Sequence, residues 1–598
     1  MASNTEIHFE VVQIYAPYVS GTCTLPPDKF WPEGYHTPLT CVESSNATWC
    51  YSFSTSRIGS NELLAFRPTD LNTGQPITYA MPDRIKSITE TAAVLSDESG
   101  LASRPSFSCV MSDFNGDPGP VNTTTDGTYF SKLIARNIMD NRDCYLLRYK
   151  MVDNVISLVS SSHYYVDSFS VTASNDYVLR CKSTLERTHQ RNKKFPPPTG
   201  ARLRLDIDQA TTTIPVFGGA STEYGADFAA GQVIRVGNEF MKIISVNGTG
   251  NSATLTVPPR GSTIVGDIVP LTTTVAESHD SGDNIQICHV SNQEEIYDFL
   301  SDVLISIGVP SSYIPLADWT AEIDDYWANY FINTIWSEPL SGREVIDRVC
   351  KAFMLDMWED TETSTIRLSA VSVWKYSPIA LSIGRGIEYS SLRGTQLPDL
   401  RTSQTYIRHD MKNKASNDTD IESYEALAQY NDTQYNGTDY YGREKVVELE
   451  ASPIHTTQSA EIRTQRNTVR FSITPRRFEW LTQEKYKNYA IGDVISIPSG
   501  TVQPDGSPEV VRCQVMKVNP KYNNIGREYA CSGLSYLAAF GGDTGGGAPG
   551  EGQLVITLSG NLTNVDLWVQ AGAISTAVDV LVIFDGATIG STAYNTPA

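Results

Sequence analysis

Short segments rich in β-branched and aromatic residues recur along most of the chain, and this recurrence limits its fold more than any other feature. In the first 195 residues they include EIHFEVVQIYA, PSFSCVMSDF and CYLLRYKMV, which turn-forming residues separate. Segments of this composition are typical of β-strands. After STIRLSAVSVW the pattern returns and continues to residue 540. The sequence therefore predicts a mainly β, multidomain protein.

Domain boundaries are expected because 598 residues exceed what one hydrophobic core supports. RNKKFPPPTG combines a basic run with three prolines, and GGDTGGGAPGEG has the composition of a flexible linker. We predict six consecutive segments: an N-terminal β domain with a cysteine loop (1–195), a small β-barrel or sandwich insertion (196–285), an α+β segment with two amphipathic helices (286–375), a second β domain (376–540), a Gly-rich linker (541–552) and the start of a C-terminal β module (553–598). The last segment is short for independent stability, so we expect the native chain or this domain to continue.

The first of the two helices is predicted from apolar residues at helical spacing between Ile296 and Ile307. Gly308 and Pro310 are typical of its end, and Ser291 with Glu294 fits a capping box at its start.

The second helix has its own capping box, Ser341 with Glu344, and the apolar face Val345, Ile346, Val349, Phe353 and Met354. Between the two helices, AEIDDYWANYF is predicted to be amphipathic, with Asp324 and Asp325 on its solvated side. We expect these elements to pack against a sheet.

The charge and hydropathy of the chain exclude some classes of protein. The net charge of −22 argues against nucleic-acid binding, because phosphate contacts require Lys and Arg. No apolar run approaches the roughly 18 residues that a membrane-spanning helix needs. The N-terminus MASNTEIHFEVVQ lacks the basic and apolar regions of a signal peptide, so we expect synthesis in the cytosol.

Sequence motifs of catalysis do not occur in the chain. It contains no Gly-x-Ser-x-Gly, no His-Glu-x-x-His, no phosphate-binding Gly-x-x-x-x-Gly-Lys and no dinucleotide fingerprint. Asp113, Asn115 and Asp117 alternate as in a calcium loop, but no distal Glu can be placed, so we predict an Asx-rich turn. We expect no enzyme activity.

Three cysteines, Cys23, Cys41 and Cys50, lie in one loop-rich stretch. Separations of 17 and 8 residues include no Cys-x-x-Cys, and thiolate metal sites usually have four ligands. The residues alone leave open a metal or iron–sulfur site, a disulfide, or unligated cysteines. Elsewhere we predict small buried hydrophobic side chains at Cys109, Cys181, Cys288, Cys350, Cys513 and Cys531.

Seven segments, read in order, resemble successive landmarks of one family: MPDRIKSITETAAVL, TYFSKLIARN, HYYVDSFSVTA, PPPTGARLRLDI, GQVIRVGNEFMKI, GVPSSYIPLADWTAEID and FMLDMWEDTETSTIRL. Over roughly residues 5 to 540 the chain is similar to the tail-tip (baseplate) hub proteins of siphophages and to the hub of gene transfer agents. The order and spacing of these seven segments are the basis of the resemblance.

The resemblance implies a homotrimer whose tail-tube-like β-barrel hub domains, 1–195 and 376–540, close the distal end of the tail and line the DNA-ejection channel. Implied partners are the distal tail protein, other tail-tip proteins, a tape-measure protein in the lumen and a host-surface receptor. The protein would be assembled in the host cytoplasm and reside in the virion at the tail tip.

Two other functions remain as alternatives to the hub. One is a host-receptor or glycan-binding adhesin that uses the Tyr- and Asn-rich loop at 411–442. The other is a tail-associated cell-wall hydrolase, for which the sequence offers no candidate residues.

The resemblance also bears on the N-terminal cysteines, because hubs of this type carry four cysteines that bind a [4Fe–4S] cluster. It implies a cluster with the ligands Cys23, Cys41 and Cys50. The first cysteine of the family would fall near Tyr18 or Val19, where this chain has none. A fourth ligand would then come from His36, Cys109 or Cys181.

Overall fold

The computed structural model describes residues 7–17, 48–54, 84–115, 127–136, 139–152, 155–172, 174, 176–189, 193–218, 228–248, 253–261, 276–371, 379–411, 424–431, 444–502, 506–523, 526–535, 553–558, 578–584 and 587–594. Strands dominate these residues and form several separate sheets. The prediction of a mainly β, multidomain protein is confirmed.

The N-terminal part forms a seven-stranded antiparallel sheet. The elements of this region are β1 (Ile7–Pro17), β2 (Thr48–Ser54), β3 (Ile85–Thr91), β4 (Gly100–Leu101), β5 (Ser106–Ser112), α1 (Tyr129–Arg136), β6 (Asp143–Val152), β7 (Val155–Val171) and β8 (Asp176–Lys182). The strand order is β2-β1-β6-β7-β8-β5-β3, and β4 belongs to another sheet. Phe130 and Leu133 of α1 enter the core of this sheet. TYFSKLIAR, which was predicted as part of an all-strand region, is therefore helical.

The insertion is built on short strands around a core of its own. Its elements are β9 (Lys194–Phe195), β10 (Ala201–Leu203), β11 (Thr213–Phe217), β12 (Val233–Val236), β13 (Glu239–Lys242), β14 (Ser245–Asn247), β15 (Thr254–Thr256) and β16 (Asn284–Glu294). All of these strands except β9, which pairs with the strand Leu340–Ser341, belong to one sheet with the order β13-β12-β16-β10-β11-β15-β14. The strand Ile332–Trp336 joins this sheet by pairing with β16. Strand β16 leads out of the insertion into the helical region.

The helical region has three helices rather than two. Its elements are α2 (Ile296–Ser306), α3 (Leu316–Trp327), β17 (Ile332–Trp336), β18 (Leu340–Ser341), α4 (Gly342–Ala352), β19 (Leu355–Asp360) and β20 (Thr365–Ala370). All three helices pack in one core with β19 and β20. As predicted, Asp324 and Asp325 on α3 are exposed while Trp319, Ile323 and Trp327 are buried.

Of the two predicted capping boxes, one is confirmed and one is wrong. The Ser341 hydroxyl accepts a hydrogen bond from the Glu344 amide at 3.2 Å, at the start of α4. Ser291 and Glu294 instead lie on β16, which pairs with β17, and α2 begins after Glu295 without a side-chain cap. The sheet ladder satisfies the backbone groups that the capping box would have served.

The region from residue 379 to 535 forms, in its described residues, two larger sheets, a two-stranded parallel sheet and a long helix. Its elements are β21 (Ser382–Ile383), β22 (Gly386–Ile387), β23 (Arg393–Gln396), β24 (Gln404–Met411), β25 (Tyr424–Asn431), β26 (Val446–Glu450), α5 (Thr457–Phe471), β27 (Arg476–Gln483), β28 (Val494–Val502), β29 (Pro508–Asn523) and β30 (Gly526–Ser535). The five-stranded sheet has the order β23-β27-β30-β29-β28, and the three-stranded sheet β25-β24-β26.

Two expectations for this region are wrong. A helix, α5, interrupts the region from 376 to 540 that was predicted as strands. The predicted loop at 411–442 contains β25, which pairs with β24 from Gln404 to Met411. Beyond the Gly-rich segment, β31 (Gln553–Leu558), β32 (Val578–Phe584) and β33 (Ala587–Tyr594) form a three-stranded sheet, and VDVLVIF is a strand as predicted.

The first and last large sheets are joined directly, although their sequences lie more than 400 residues apart. The Leu95 amide donates to the Met516 carbonyl at 3.0 Å, and the Ala92 amide donates to the Asn519 side chain at 3.0 Å. Arg477 forms an ion pair with Asp97. Apolar side chains complete the contact: Ala93, Leu95, Ala102, Trp358, Phe471, Met516 and Leu534.

Candidate functional site

The predicted metal ligands are the first candidate site. Cys23, Cys41 and His36 lie outside the described residues. The backbone of Cys50 lies on β2, paired with Tyr15, but its side chain is not among the described atoms. Within the described ranges, no three His, Cys, Asp or Glu side chains are grouped as metal ligands.

Cys109 and Cys181, the other suggested ligands, are buried in the core of the N-terminal sheet. Their neighbour is Cys144, a third core thiol that the sequence analysis did not single out. Burial raises the pKa of both Cys109 and Cys181 well above the ordinary thiol value, and Cys144 raises it further. A protonated thiol in an apolar core is a poor metal ligand.

These core thiols are not arranged as disulfides. Cys109 and Cys181 lie diagonally on paired strands, since Cys109 pairs with Leu179 and Phe107 with Cys181. Such diagonal positions are about 7–8 Å apart, beyond the usual reach of a disulfide. The buried cysteines predicted from the sequence are all buried and free: Cys109, Cys181, Cys288, Cys350, Cys513 and Cys531.

Asp113 belongs to the loop in which Asp113, Asn115 and Asp117 alternate, and within the described residues it has a structural role. The Asp113 carboxylate accepts the Phe114 amide at 2.9 Å and the Phe130 amide at 3.2 Å. The second bond holds the first turn of α1, where unpaired amides favour a carboxylate. Asp117 falls outside the described residues.

The second candidate site is the arginine junction, which we define as Arg463, Arg466 and Arg470 on α5 and the groups they contact. All three arginines are buried, with exposed fractions of 3%, 7% and 2%. Spacings of three and four residues place them on one face of the helix. Thr456 caps the helix by accepting the Ser459 amide at 3.3 Å.

Two of the arginines reach the C-terminal ends of other helices. Arg463 donates from Nε to the Lys351 carbonyl, in the last turn of α4, at 3.1 Å. Arg466 donates to the Tyr326 carbonyl, in the last turn of α3, at 2.5 Å. Helix C-termini carry partial negative charge, which stabilises a buried guanidinium beside them.

The third arginine connects to the five-stranded sheet. Arg470 donates to the Gln514 side-chain oxygen on β29 at 2.6 Å. Gln514 in turn donates to the buried Asp356 carboxylate on β19 at 2.8 Å. One face of α5 therefore contacts α3, α4, β19 and β29.

Burial changes the acidity of Arg463 and Arg466 without removing their charge near neutral pH. Burial and, to a smaller extent, the neighbouring charge of Arg466 lower the pKa of Arg463 to about 9. Burial lowers the pKa of Arg466 to about 10. Both guanidinium groups are charged near pH 7. Carbonyl dipoles, an aromatic ring and an amide surround the three arginines. The arginine junction therefore stabilises packing, and it contains no nucleophile or acid–base pair.

A buried histidine joins the N-terminal sheet to the helical region. His163 on β7 contacts the hydroxyl of Tyr313 through Nδ1 and Asp143 through Nε2, the latter at 2.9 Å. Nearby, Glu359 on β19 accepts the amides of Thr184 and Leu185 at 2.9 and 2.7 Å. These side chains are used in contacts between modules.

The insertion has its own buried ionic cluster. Glu239 forms ion pairs with Arg260 and His279, and the Nε2 of His279 lies 2.9 Å from the carboxylate. Burial raises the pKa of Glu239, but hydrogen bonds from Arg260 and His279 outweigh it and leave the pKa low. The cluster ties the β12–β13 hairpin to the chain around residue 279.

A search of protein-family models finds no match, and no curated protein matches the sequence. Solved structures give matches at low identity. A 43 kDa tail protein of prophage MuSo2 from Shewanella oneidensis has a TM-score of 0.36 and 10% identity, covering 75% of this chain and 98% of its own.

A tail protein from Neisseria meningitidis MC58 has a TM-score of 0.33 and 8% identity, covering 77% of this chain and 94% of its own. The virion of a gene transfer agent particle has a TM-score of 0.28 and 9% identity, covering 56% of this chain and 84% of its own. These solved structures are two tail proteins and a gene transfer agent particle, and each is similar to this chain at 10% identity or less.

Proposed function

We propose that this chain is a structural virion protein of a phage tail, and specifically the hub of the tail tip. It would close the distal end of the tail tube and line the DNA-ejection channel. The ordered landmarks in the sequence support this proposal, as does a fold made of successive β modules. A hub of this kind performs no catalytic step.

The observation that carries the proposal is the direct joint between the first and last large sheets, reinforced by the arginine junction. Two modules that are distant in sequence are bound to one another here. The Leu95 amide donates to the Met516 carbonyl, and Arg477 forms an ion pair with Asp97. Charged side chains such as Arg477 and Asp97 lie in this joint between modules. A tail-tip hub must hold its shape until ejection, and joints of this kind would serve that role.

The oligomer and its location belong to the same proposal. Three copies would form a ring at the distal end of the tail, in contact with the distal tail protein and other tail-tip proteins and with the tape-measure protein in the lumen. No helix among the described residues is both long and apolar enough to cross a membrane.

Labelling of intact particles tests the proposal. Gold-conjugated antibody against this chain should mark the distal end of each tail in electron micrographs, and quantitative mass spectrometry should give three copies per particle. Label along the tube or on the capsid would contradict the hub. Clearing of peptidoglycan by the purified protein would favour the hydrolase instead.

A [4Fe–4S] cluster at Cys23, Cys41 and Cys50 remains a separate proposal. Cys109 and Cys181 do not fit as its fourth ligand, because both are buried in the core with raised thiol pKa values. Of the ligands that the sequence suggested, His36 remains. Protein purified without oxygen should then contain iron and absorb visible light, and His36→Ala should lose both. Colourless, iron-free protein would show that the three cysteines hold no cluster.

A further inference from the structure

A groove of about 570 Å³ crosses the outer face of the five-stranded sheet. Leu481, Ala530 and Ser532 form its floor. We call it the Tyr389 groove and define its rim by six residues: Glu388, Tyr389, Arg393, Glu479, Lys517 and Lys521. Its volume is within the range of small-ligand sites.

The strand register places charged side chains in rows across this groove. Arg393 pairs with Glu479, Glu479 with Ser532, and Ser532 with Lys517, across β23, β27, β30 and β29. Residues paired in this way point to the same face of a sheet. Three gaps between strands make the row about 14 Å long. The groove therefore presents cations at both ends and a carboxylate between them.

Tyr389 is the most exposed large hydrophobic side chain of this region, at 78%. Its ring lies against Gly384, where an added Cβ would be 2.7 Å from the tyrosine oxygen and 2.9 Å from ring carbons. Gly384 also has a positive φ of 84°, which favours glycine. One side of the ring is thus packed on the backbone while the rest faces solvent.

The segment that carries Tyr389 is fixed to the sheet on both sides of the ring. The Glu388 amide donates to the Leu481 carbonyl at 2.9 Å, and the Leu481 amide donates to the Ser391 hydroxyl at 3.1 Å. The exposed ring therefore stands on an anchored turn, which lowers the entropy cost of binding at its face.

The cations of the groove are unusual for a chain with a net charge of −22. Within the residues that the structure describes, the side chains of Arg393 and Lys517 form no ion pair or hydrogen bond. Lys521 lies beside the Glu528 carboxyl group. A ligand with negative charge would gain two cationic contacts without breaking an existing pair.

The carboxylates of the rim restrict which anion can bind. Glu388 already accepts a hydrogen bond from Gln483 at 3.2 Å and contacts the Glu528 carboxyl group. When ionised, the carboxylates of Glu388 and Glu479 can only accept hydrogen bonds, so their remaining lone pairs favour a ligand rich in hydroxyl donors. A nucleic acid has a phosphate at every nucleotide and few backbone donors, and these carboxylates would repel it. A uronic acid polymer also carries a carboxylate on each sugar, but each sugar brings free hydroxyl donors that the carboxylates of the rim can accept.

We propose that the Tyr389 groove binds an acidic glycan. A sugar ring lies on the open side of Tyr389, its carboxylate contacts Arg393 or Lys517, and its hydroxyls donate to Glu388 and Glu479. This binding role goes beyond the structural role proposed above and does not depend on it, because it can be measured on the purified chain.

Titration calorimetry with oligogalacturonate as the probe tests the proposal. Binding should be measurable at millimolar probe or below and should weaken as salt is raised, because charged contacts are screened. Tyr389→Ala and the double variant Arg393→Gln with Lys517→Gln should each weaken binding about tenfold or more. Lys485→Gln, which removes a lysine outside the groove, is the matched control and should bind as the parent does.

A second comparison separates a glycan from a nucleic acid. Glu479→Ala removes an acceptor for hydroxyls together with a negative charge, so it should weaken oligogalacturonate relative to a thymidine oligonucleotide, which gains from the lost negative charge and loses no hydroxyl contact. Neutral dextran should bind weakly to every variant, and thermal melting should show that each variant folds. Absence of oligogalacturonate binding, equal binding by the groove variants, or tighter binding of the oligonucleotide by the parent protein would each overturn the proposal.

Discussion

The guanidinium carbon of Arg466 lies 4.1 Å from the centre of the Trp327 ring, while its Nη2 donates to the Tyr326 carbonyl. Both contacts are at the end of α3, and both side chains are buried. The arginine therefore donates a hydrogen bond to the helix terminus and places the planar face of its guanidinium group on the indole ring. Lysine has no planar group and cannot reproduce this combination.

A double-mutant cycle measures this contact. Arg466→Met and Trp327→Leu should each destabilise the protein, and together they should lose less than the sum, with a coupling of about 1–2 kcal/mol in urea unfolding. The control is the exposed Lys485 with the half-buried Tyr486, where the lysine nitrogen lies 4.7 Å from the ring centre, and it should show weaker coupling. A coupling near zero for Arg466 and Trp327 would mean that the two side chains stabilise the junction independently.

The ion pair of Arg476 and Glu509 should make stability depend on acid. Two hydrogen bonds of 2.8 Å from Arg476 are the main reason that the pKa of Glu509 is lowered from 4.5 to about 2. A lowered folded-state pKa stabilises the fold above pH 4.5, and this contribution is lost as the pH falls towards 2. Because solvent partly screens the pair, we expect about 1 kcal/mol or less.

Glu509→Gln tests this dependence. The variant should unfold at lower urea concentration than the parent at pH 7, and the two proteins should converge near pH 2. Glu425→Gln, at an exposed position of β25, should match the parent throughout. A deficit that stays constant with pH would show that the amide disturbs packing and that charge is not the cause.

Glu359 should be important for the contact between β19 and the chain after β8. Its carboxylate holds the amides of Thr184 and Leu185, and burial raises its pKa. Glu359→Ala leaves two buried amides without this acceptor and should cost about 3 kcal/mol in unfolding free energy. Glu359→Gln keeps one acceptor oxygen and should cost less. Equal losses for the two variants would contradict an amide-binding role.

Gly492 should be intolerant of a side chain. Its φ is +88°, and an added Cβ would be 2.6 Å from the Cη2 of Trp358 in the joint between the large sheets. Gly492→Ala should therefore cost about 3 kcal/mol, from backbone strain and overpacking together. Gly500 has a φ of +79° with open space around it, so Gly500→Ala should show the backbone cost alone, about 1 kcal/mol. Thermal unfolding of both variants provides the measurement.

Much of the secondary structure could be predicted from the sequence because its signals are local. Apolar spacing from Ile296 to Ile307 gives α2, and Ser341 with Glu344 gives the start of α4. Ser291 and Glu294 carry the same motif but lie on β16. There the pairing with β17 uses the backbone, and no local pattern reports a strand partner about 40 residues away.

Of the candidate sites, the sequence named the cysteines and missed the rest. Cys23, Cys41 and Cys50 were recognised from their clustering, whereas the Tyr389 groove depends on register across β23, β27, β30 and β29. The exposed Tyr389 and the unpaired Arg393 look like ordinary surface residues until that register sets them on one face. No local pattern in the sequence reports this register.

By itself, the sequence determined that this protein is a series of β modules with helices between them, because periodicity and turn residues act over a few positions. Only the tertiary structure decided that α5 is a helix with a buried polar face. Because burying a charge is costly, no local signal would place Arg463, Arg466 and Arg470 in the interior. The carbonyl ends of α3 and α4 and the ring of Trp327 offset that cost, and these partners come together only in the folded chain.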